Sequence, residues 1–253
     1  MLNKSEILSH LKTENVKVCC YDETESTSTL SRQLINGGET GKLVITADRQ
    51  TSGRGRNGKS FYSLNDGSVY MSVVLHPNLD LADTVGVTTA AAVAVNRAIE
   101  LITGKVTDIK WVNDLYYEGK KICGILCEAV ASKGIVSSVI VGVGINLAEC
   151  SFPDELKDIA GSLSCDSSLR AQLVAAVADG LFSLEFGSLS DEILGEYRRK
   201  SMVIGKKIDY YINGEKNTAT AVGIDAQGGL IIEKSDGSTD VLRSGEISLR
   251  LSE

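Results

Sequence analysis

The run Gly53-Arg54-Gly55-Arg56-Asn57-Gly58-Lys59-Ser60 satisfies the pattern G-x-x-x-x-G-K-[ST], and its flanks decide what kind of fold can carry it. A phosphate-gripping P-loop joins a buried strand directly to a helix whose N-terminal N–H groups and dipole meet the phosphates. Here residues 42–47 predict a strand, but the polar stretch Asp48-Arg49-Gln50-Thr51-Ser52 separates it from the glycines. Beyond Ser60, residues 61–67 read as a turn and 68–75 as a second strand. The order is strand, loop, strand, which excludes the P-loop architecture. The glycines still let the backbone approach a ligand closely, and Arg54 and Arg56 carry planar guanidinium forks suited to carboxylate and phosphate oxygens. The same residues would also make a solvated basic hairpin loop.

The charge balance narrows the ligand. Net charge is −7 over 253 residues, with both signs mixed along the chain, so summed charge opposes general binding to nucleic acid or to an anionic membrane. A local basic loop on an acidic protein suggests a small anion. The N-terminus has no signal-peptide pattern and no apolar run is long enough to span a bilayer, so a cytoplasmic protein is expected. The six cysteines show no C-x-x-C spacing and only His10 and His76 could join them at a metal, which favours buried thiols over disulfides or zinc. The same scarcity of histidine argues against a Ser/His or Cys/His triad.

Along the chain, Ile7, Leu8 and Leu11 predict a short leading helix and residues 16–21 a strand. The hydroxyl run 24–29 precedes Leu30, Leu34 and Ile35, with Gly37-Gly38 behind, which predicts a capped helix with a glycine stop. Ser26 and Thr27 are cap residues on this reading, or spare hydroxyls facing a ligand. Residues 83–103 follow a helical period with small side chains, 105–111 read as a strand, and 115–117 with 121–130 flank Glu118-Gly119 as a hairpin. Residues 135–147 form a further strand; Gly142-Val143-Gly144 within it lacks the third glycine of a dinucleotide fingerprint. Residues 169–186 and 189–199 predict two helices. From Ser201 short apolar runs alternate with Asn213-Gly214, Gly228-Gly229 and Asp236-Gly237, the texture of a small barrel. No proline- or glycine-rich linker precedes it, so it should pack against the larger part.

A second motif gathers Lys110-Trp111-Val112-Asn113-Asp114-Leu115 and Lys120-Lys121-Ile122-Cys123-Gly124-Ile125-Leu126-Cys127-Glu128 around the hairpin. Two lysines, an amide and a carboxylate so placed can hold a nucleotide phosphate and its magnesium ion. Asp114 and Lys121 could equally form a structural ion pair. Taken together, the glycine-rich loop and this motif resemble the biotin protein ligases. Val141-Gly142-x-Gly144-Ile145-Asn146 and Gly245-Glu246-Ile247-Ser248-Leu249-Arg250 are similar to the same family, so the resemblance runs over nearly the whole chain.

The resemblance implies an α+β fold: a catalytic domain over residues 1–200, a mixed sheet with packed helices of the class II aminoacyl-tRNA synthetase and biotin ligase kind, and an SH3-like barrel over 201–253. It implies that biotin reacts with ATP and magnesium to give biotinyl-5′-AMP, then passes to a lysine of a biotin carboxyl carrier protein. Ser26, Thr27 and Gln50 would hydrogen-bond biotin's ureido end, and Ser28, Gly53, Arg54, Lys121 and Gly124 would also contact biotin. Arg54, Gly55, Arg56, Lys110, Asn113 and Asn146 would serve the nucleotide, and Asp114 the metal. Lys121, Arg54 and Asp114 would carry the chemistry. Ser28 departs from the family's usual asparagine and Val112 from its proline.

The residues suit that chemistry in themselves. A carboxylate attacking a phosphoryl centre needs positioned cations rather than an acid–base pair. The acyl-adenylate must then be shielded from water, and the loop, with three glycines and three like charges, is expected to be mobile until an anion orders it. The rivals are a lipoate- or octanoate-transferring enzyme of the same architecture and a non-catalytic biotin-sensing regulator. The resemblance starts near Glu6, so no DNA-binding domain and no direct DNA binding are expected. A homodimer is left open.

Overall fold

The computed structural model describes residues 2–63, 67–77, 79–80, 86–132, 134–212, 215–243, 245 and 247–249. Its larger sheet mixes parallel and antiparallel pairs in the order β1 (Val16–Thr24), β2 (Lys42–Gln50), β3 (Val69–Leu75), β8 (Ile135–Ile145), β7 (Lys120–Ser132), β6 (Asp114–Tyr117), β5 (Asp108–Lys110), and the short β4 (Leu79–Asp80) pairs with β8. Only β1 and β2 run parallel in this order. Parallel neighbours need a crossover, and α2 (Thr27–Asn36) supplies it.

The period-2 alternation of the central strands sorts their side chains onto two faces. On one face Val44, Met71, Val73, Val141 and Val143 join a continuous core with α1 (Lys4–His10), α3 (Val87–Thr103), α4 (Arg170–Phe182) and α5 (Asp191–Lys200). The alanines of α3 allow that close packing: a Cβ added at Gly180 of α4 would lie 3.5 Å from the Ala94 side chain. On the other face Leu43, Ile45, Val74 and Ile140 meet Leu30, Leu34 and Ile35 of α2 alone. Helix α2 covers the β2–β3–β8 half of this face, and Gly124, Gly142 and Gly144 leave the adjoining half bare.

The elements expected from the sequence are present, with shifted ends. The strand expected over 105–111 shrinks to Asp108–Lys110: at its start the Lys105 and Thr107 N–H groups bond to Thr103 Oγ1 and Glu100 Oε1 instead of a neighbouring strand, and past its end the Trp111 indole donates to the Gly228 carbonyl at 3.0 Å. The helix expected from 169 to 186 stops at Phe182, where the Ser183 hydroxyl bonds back to the Asp179 carbonyl at 2.8 Å. Helix α3 begins at Val87; residues 83–85 of its expected span, the Leu64-Asn65-Asp66 stretch, Asn213-Gly214, Glu246 and Arg250 lie outside the described residues.

After α5 the Met202 N–H bonds to the Ile109 carbonyl at 3.0 Å, which brings the chain along the β5 edge. A five-stranded sheet follows, ordered β12 (Thr239–Leu242), β11 (Leu230–Glu233), β10 (Glu215–Ile224), β9 (Lys207–Ile212), β13 (Ile247–Leu249). It packs on the larger part, as the missing linker implied. Arg198 donates to the Ile224 carbonyl at 2.6 and 2.9 Å, and a Cβ at Gly228, where φ is +84°, would strike Thr89 of α3. No helix among the described residues is long and apolar enough to cross a membrane.

Candidate active site

The bare half of the sheet floors a cavity of about 390 Å³. One end is polar and tightly bonded. Gln50, at the end of β2, accepts from the Thr27 N–H at 2.8 Å and from its hydroxyl at 3.2 Å, and donates to the Ser63 hydroxyl at 3.2 Å. Ser72 donates to the Thr27 hydroxyl at 2.8 Å and lies 3.3 Å from that of Ser28. Gln50 thus satisfies the first orphan N–H of α2, the work a cap side chain does. Ser26 occupies the N-cap position but makes no cap bond, and its buried side chain lines the cavity. The capping alternative fails for Ser26 on this geometry.

The floor is made by glycines in register. Gly124 of β7 pairs with Gly144 of β8, and the Phe61 ring lies over both: an added Cβ would meet it at 3.0 Å from Gly124 and 2.4 Å from Gly144. Gly142, two residues along, leaves room for Ser28, whose hydroxyl would be 2.8 Å from an added Cβ. The Gly142-x-Gly144 spacing is therefore a strand feature that clears one sheet face.

Cations converge on the opposite side. The glycine-rich loop closes on itself through Gly55 N–H to the Lys59 carbonyl at 2.7 Å, with Asn57 and Gly58 in the left-handed region. Arg54 pairs with Glu128 at 3.0 Å, and Arg56 donates to Asn113 Oδ1 at 3.2 Å. Asn113 in turn donates to the Ile125 carbonyl at 2.8 Å. Lys121 Nζ lies 2.8 Å from Asp114 Oδ1 and 6.0 Å from the Phe61 ring centre. The Asp114–Lys121 ion pair read as an alternative from the sequence is thus present, and Asp114 Oδ1 makes no hydrogen bond among the described residues. Lys110 donates to the Tyr116 hydroxyl at 3.5 Å. Burial, then the charge of Asp114, pushes the Tyr116 phenol up to about 12, which keeps it a neutral acceptor there.

Ser26, Thr27, Ser28, Gln50, Arg54, Gly55, Arg56, Lys110, Asn113, Asp114, Lys121 and Gly124 all line this one cavity. Gly53 and Asn146 do not. A Cβ at Gly53 would lie 2.2 Å from the Ser63 hydroxyl and 2.5 Å from the Phe61 carbonyl, so this glycine lets two backbone stretches meet. Asn146 is buried, donates to the Gly161 carbonyl at 2.9 Å and leaves its Oδ1 unbonded among the described residues. Six lining residues were not found from the sequence: Phe61, Met71 and Ile159, and Tyr211, Gly245 and Ile247 of the smaller part. Gly245 and Ile247 stand in a motif noticed earlier without a role. Ile159 and Tyr211, 55% and 50% exposed at the rim, carry no local signal.

Comparison with known proteins gives one consistent result. Residues 20–146 match the Biotin/lipoate A/B protein ligase family and residues 204–250 the Biotin protein ligase C terminal domain. The chain is 36% identical over 248 residues to the bifunctional ligase/repressor BirA of Bacillus subtilis, covering 93% of this chain and 76% of that one. It is 26% identical to the biotin–[acetyl-CoA-carboxylase] ligase of Mycobacterium tuberculosis over 237 residues, 89% of this chain and 86% of the relative. Among solved structures it resembles the biotin protein ligase of Aquifex aeolicus in complex with biotin and ATP, with TM-score 0.74 and 29% identity over 95% of this chain and 100% of that one.

Proposed function

The chain belongs to the biotin/lipoate A/B protein ligase family, and from that premise we propose how its cavity works as an ATP-dependent biotin–protein ligase. The observation that carries the reading is a single cavity with a buried hydroxyl and amide cluster at one end and Arg54, Arg56, Lys110 and Lys121 at the other. Ser26, Thr27, Ser28 and Gln50 bond the ureido head, and the glycine floor takes the fused rings and chain. The carboxylate then reaches the cations, where Lys121 and Arg54 offset the repulsion between it and the α-phosphate. The carboxylate oxygen attacks phosphorus, pyrophosphate leaves, and biotinyl-5′-AMP remains under the loop.

Arg56 and Asn113, bonded to each other, hold the nucleotide side together with Lys110 and Gly55. Asn146, which does not line the cavity, would support the nucleotide side from behind the wall, through its bond to the Gly161 carbonyl at 2.9 Å. Asp114 is the one carboxylate lining the cavity, and no group of three or more His, Cys, Asp or Glu stands ready for a metal among the described residues. That fits magnesium, which is commonly held by one or two carboxylates and the substrate's own phosphates. When bound it would neutralise phosphate charge. In the second half-reaction an acceptor lysine attacks the acyl carbon and AMP leaves. The acceptor is a biotin carboxyl carrier protein, the division between catalytic and barrel parts falls near residue 200, and six unpaired thiols support a cytoplasmic setting.

The test is ATP–pyrophosphate exchange. Exchange should require biotin, because an unbranched acid offers no donors or acceptors to the buried polar end. Equal exchange with octanoate or lipoate would overturn this assignment of the pocket.

A further inference from the structure

Glu128 is a carboxylate that the mechanism above does not use. It lies on β7 on the same face as Gly124 and Leu126, because each is two residues from the next. Its side chain is only 14% exposed, yet a single oxygen, Oε1, faces two guanidinium groups from different elements: Arg54 of the loop at 3.0 Å and Arg32 of α2 at 3.4 Å. Its other oxygen, Oε2, is buried without a hydrogen-bond partner among the described residues. A carboxylate with spare acceptor capacity, held between two cations, has room to fix their positions but does not neutralise both.

We propose that Glu128 is a positioning residue for adenylate formation: it grips one edge of the Arg54 fork and leaves the remaining N–H groups aimed into the cavity. This rests on the biotin-activating reading above. Among the described residues Glu128 is the one side-chain partner of Arg54, which is 46% exposed at the end of a glycine-rich loop. Without it the loop could deliver a positive charge, but not an oriented fork. A guanidinium has five donors in a fixed plane, so one edge can be tied while the other meets a carboxylate or phosphate. Arg32 extends the arrangement to α2, whose first residues bond the ureido head, so the loop and the head-binding helix are registered against one carboxylate. The transition state, with two anions in contact, is where that orientation counts most.

A double-mutant cycle tests this through single-turnover adenylation, with KM and kcat separated. E128Q keeps shape and removes charge; kcat/KM for adenylation should fall about 10- to 100-fold, the scale of a catalytic group displaced by about 1 Å. E128D should recover part of the loss. In an R54A background E128Q should cost much less than in the parent, since Glu128 acts chiefly through Arg54. The same fractional loss in both backgrounds, or E128Q within twofold of the parent, would overturn the proposal. Should E128Q not fold, R54K carries the test: it keeps the charge and loses the fork, and full activity in R54K would overturn the proposal. A parent chain with no biotin-dependent exchange would instead defeat the underlying reading.

Discussion

At the scale of single residues, charge placement separates binding from turnover. Lys121 stands beside Asp114 at 2.8 Å and lines the cavity near the reacting end. In its proposed role its ammonium would gain most as negative charge builds between carboxylate and α-phosphate, so Lys121→Ala should lower the adenylation rate about 10²–10³-fold and change biotin affinity far less. Single-turnover quench measurements beside calorimetric titration check this; a rate within a few-fold of the parent would make Lys121 a structural partner of Asp114. Much of this site was legible residue by residue. Two arginines in a glycine-rich loop, and lysines, an amide and a carboxylate around a hairpin, are residue types whose chemistry is visible without coordinates. Gln50 was read as a ligand contact, while its bond to the Thr27 N–H was not, because nothing local says that residue 50 ends beside residue 27.

Among the elements, the sheet floor is the part most exposed to a small change. Gly144 sits under Phe61, and an added methyl would come within 2.4 Å of the ring. Phe61 is tied by its N–H to the Gly53 carbonyl at 2.9 Å, so moving the ring drags the base of the loop. Gly144→Ala should cost about 1–3 kcal/mol of folding stability, the usual cost of overpacking, and, by pushing the Phe61 ring into the cavity, should also weaken biotin binding. Phe61→Leu in the same chain should restore part of the affinity; titration calorimetry on both variants decides. The strand–loop–strand order, the hairpin at Glu118-Gly119 and the crossover helix were legible because period and turn chemistry are local signals. Strand β5 was overestimated because residues 105–107 bond back to the end of α3 and Trp111 answers to a carbonyl at residue 228, a contact that no window of sequence contains.

For the molecule as a whole, the two sheets act together. The Trp111 indole bonded to Gly228, Arg198 bonded to Ile224, and Gly228 packed closely against Thr89 join the small sheet to the large one. Trp111→Phe leaves the Gly228 carbonyl unpaired at a cost of about 1–3 kcal/mol. At this chain length each kcal/mol lowers the melting temperature by about 2–4 °C. Thermal unfolding should remain one transition at a lower temperature, and an unchanged midpoint would show that the indole bond contributes nothing. The small barrel itself was legible from its rhythm of short apolar runs and glycine turns, but its share in the cavity wall was not, since Tyr211, Gly245 and Ile247 reach the site only by packing. That share bears on the protein's own synthesis. On the proposed reading, the loop and hairpin that would grip the anions are synthesised well before Gly245 and Ile247, so the cavity they share gains that part of its wall only after those residues have been made.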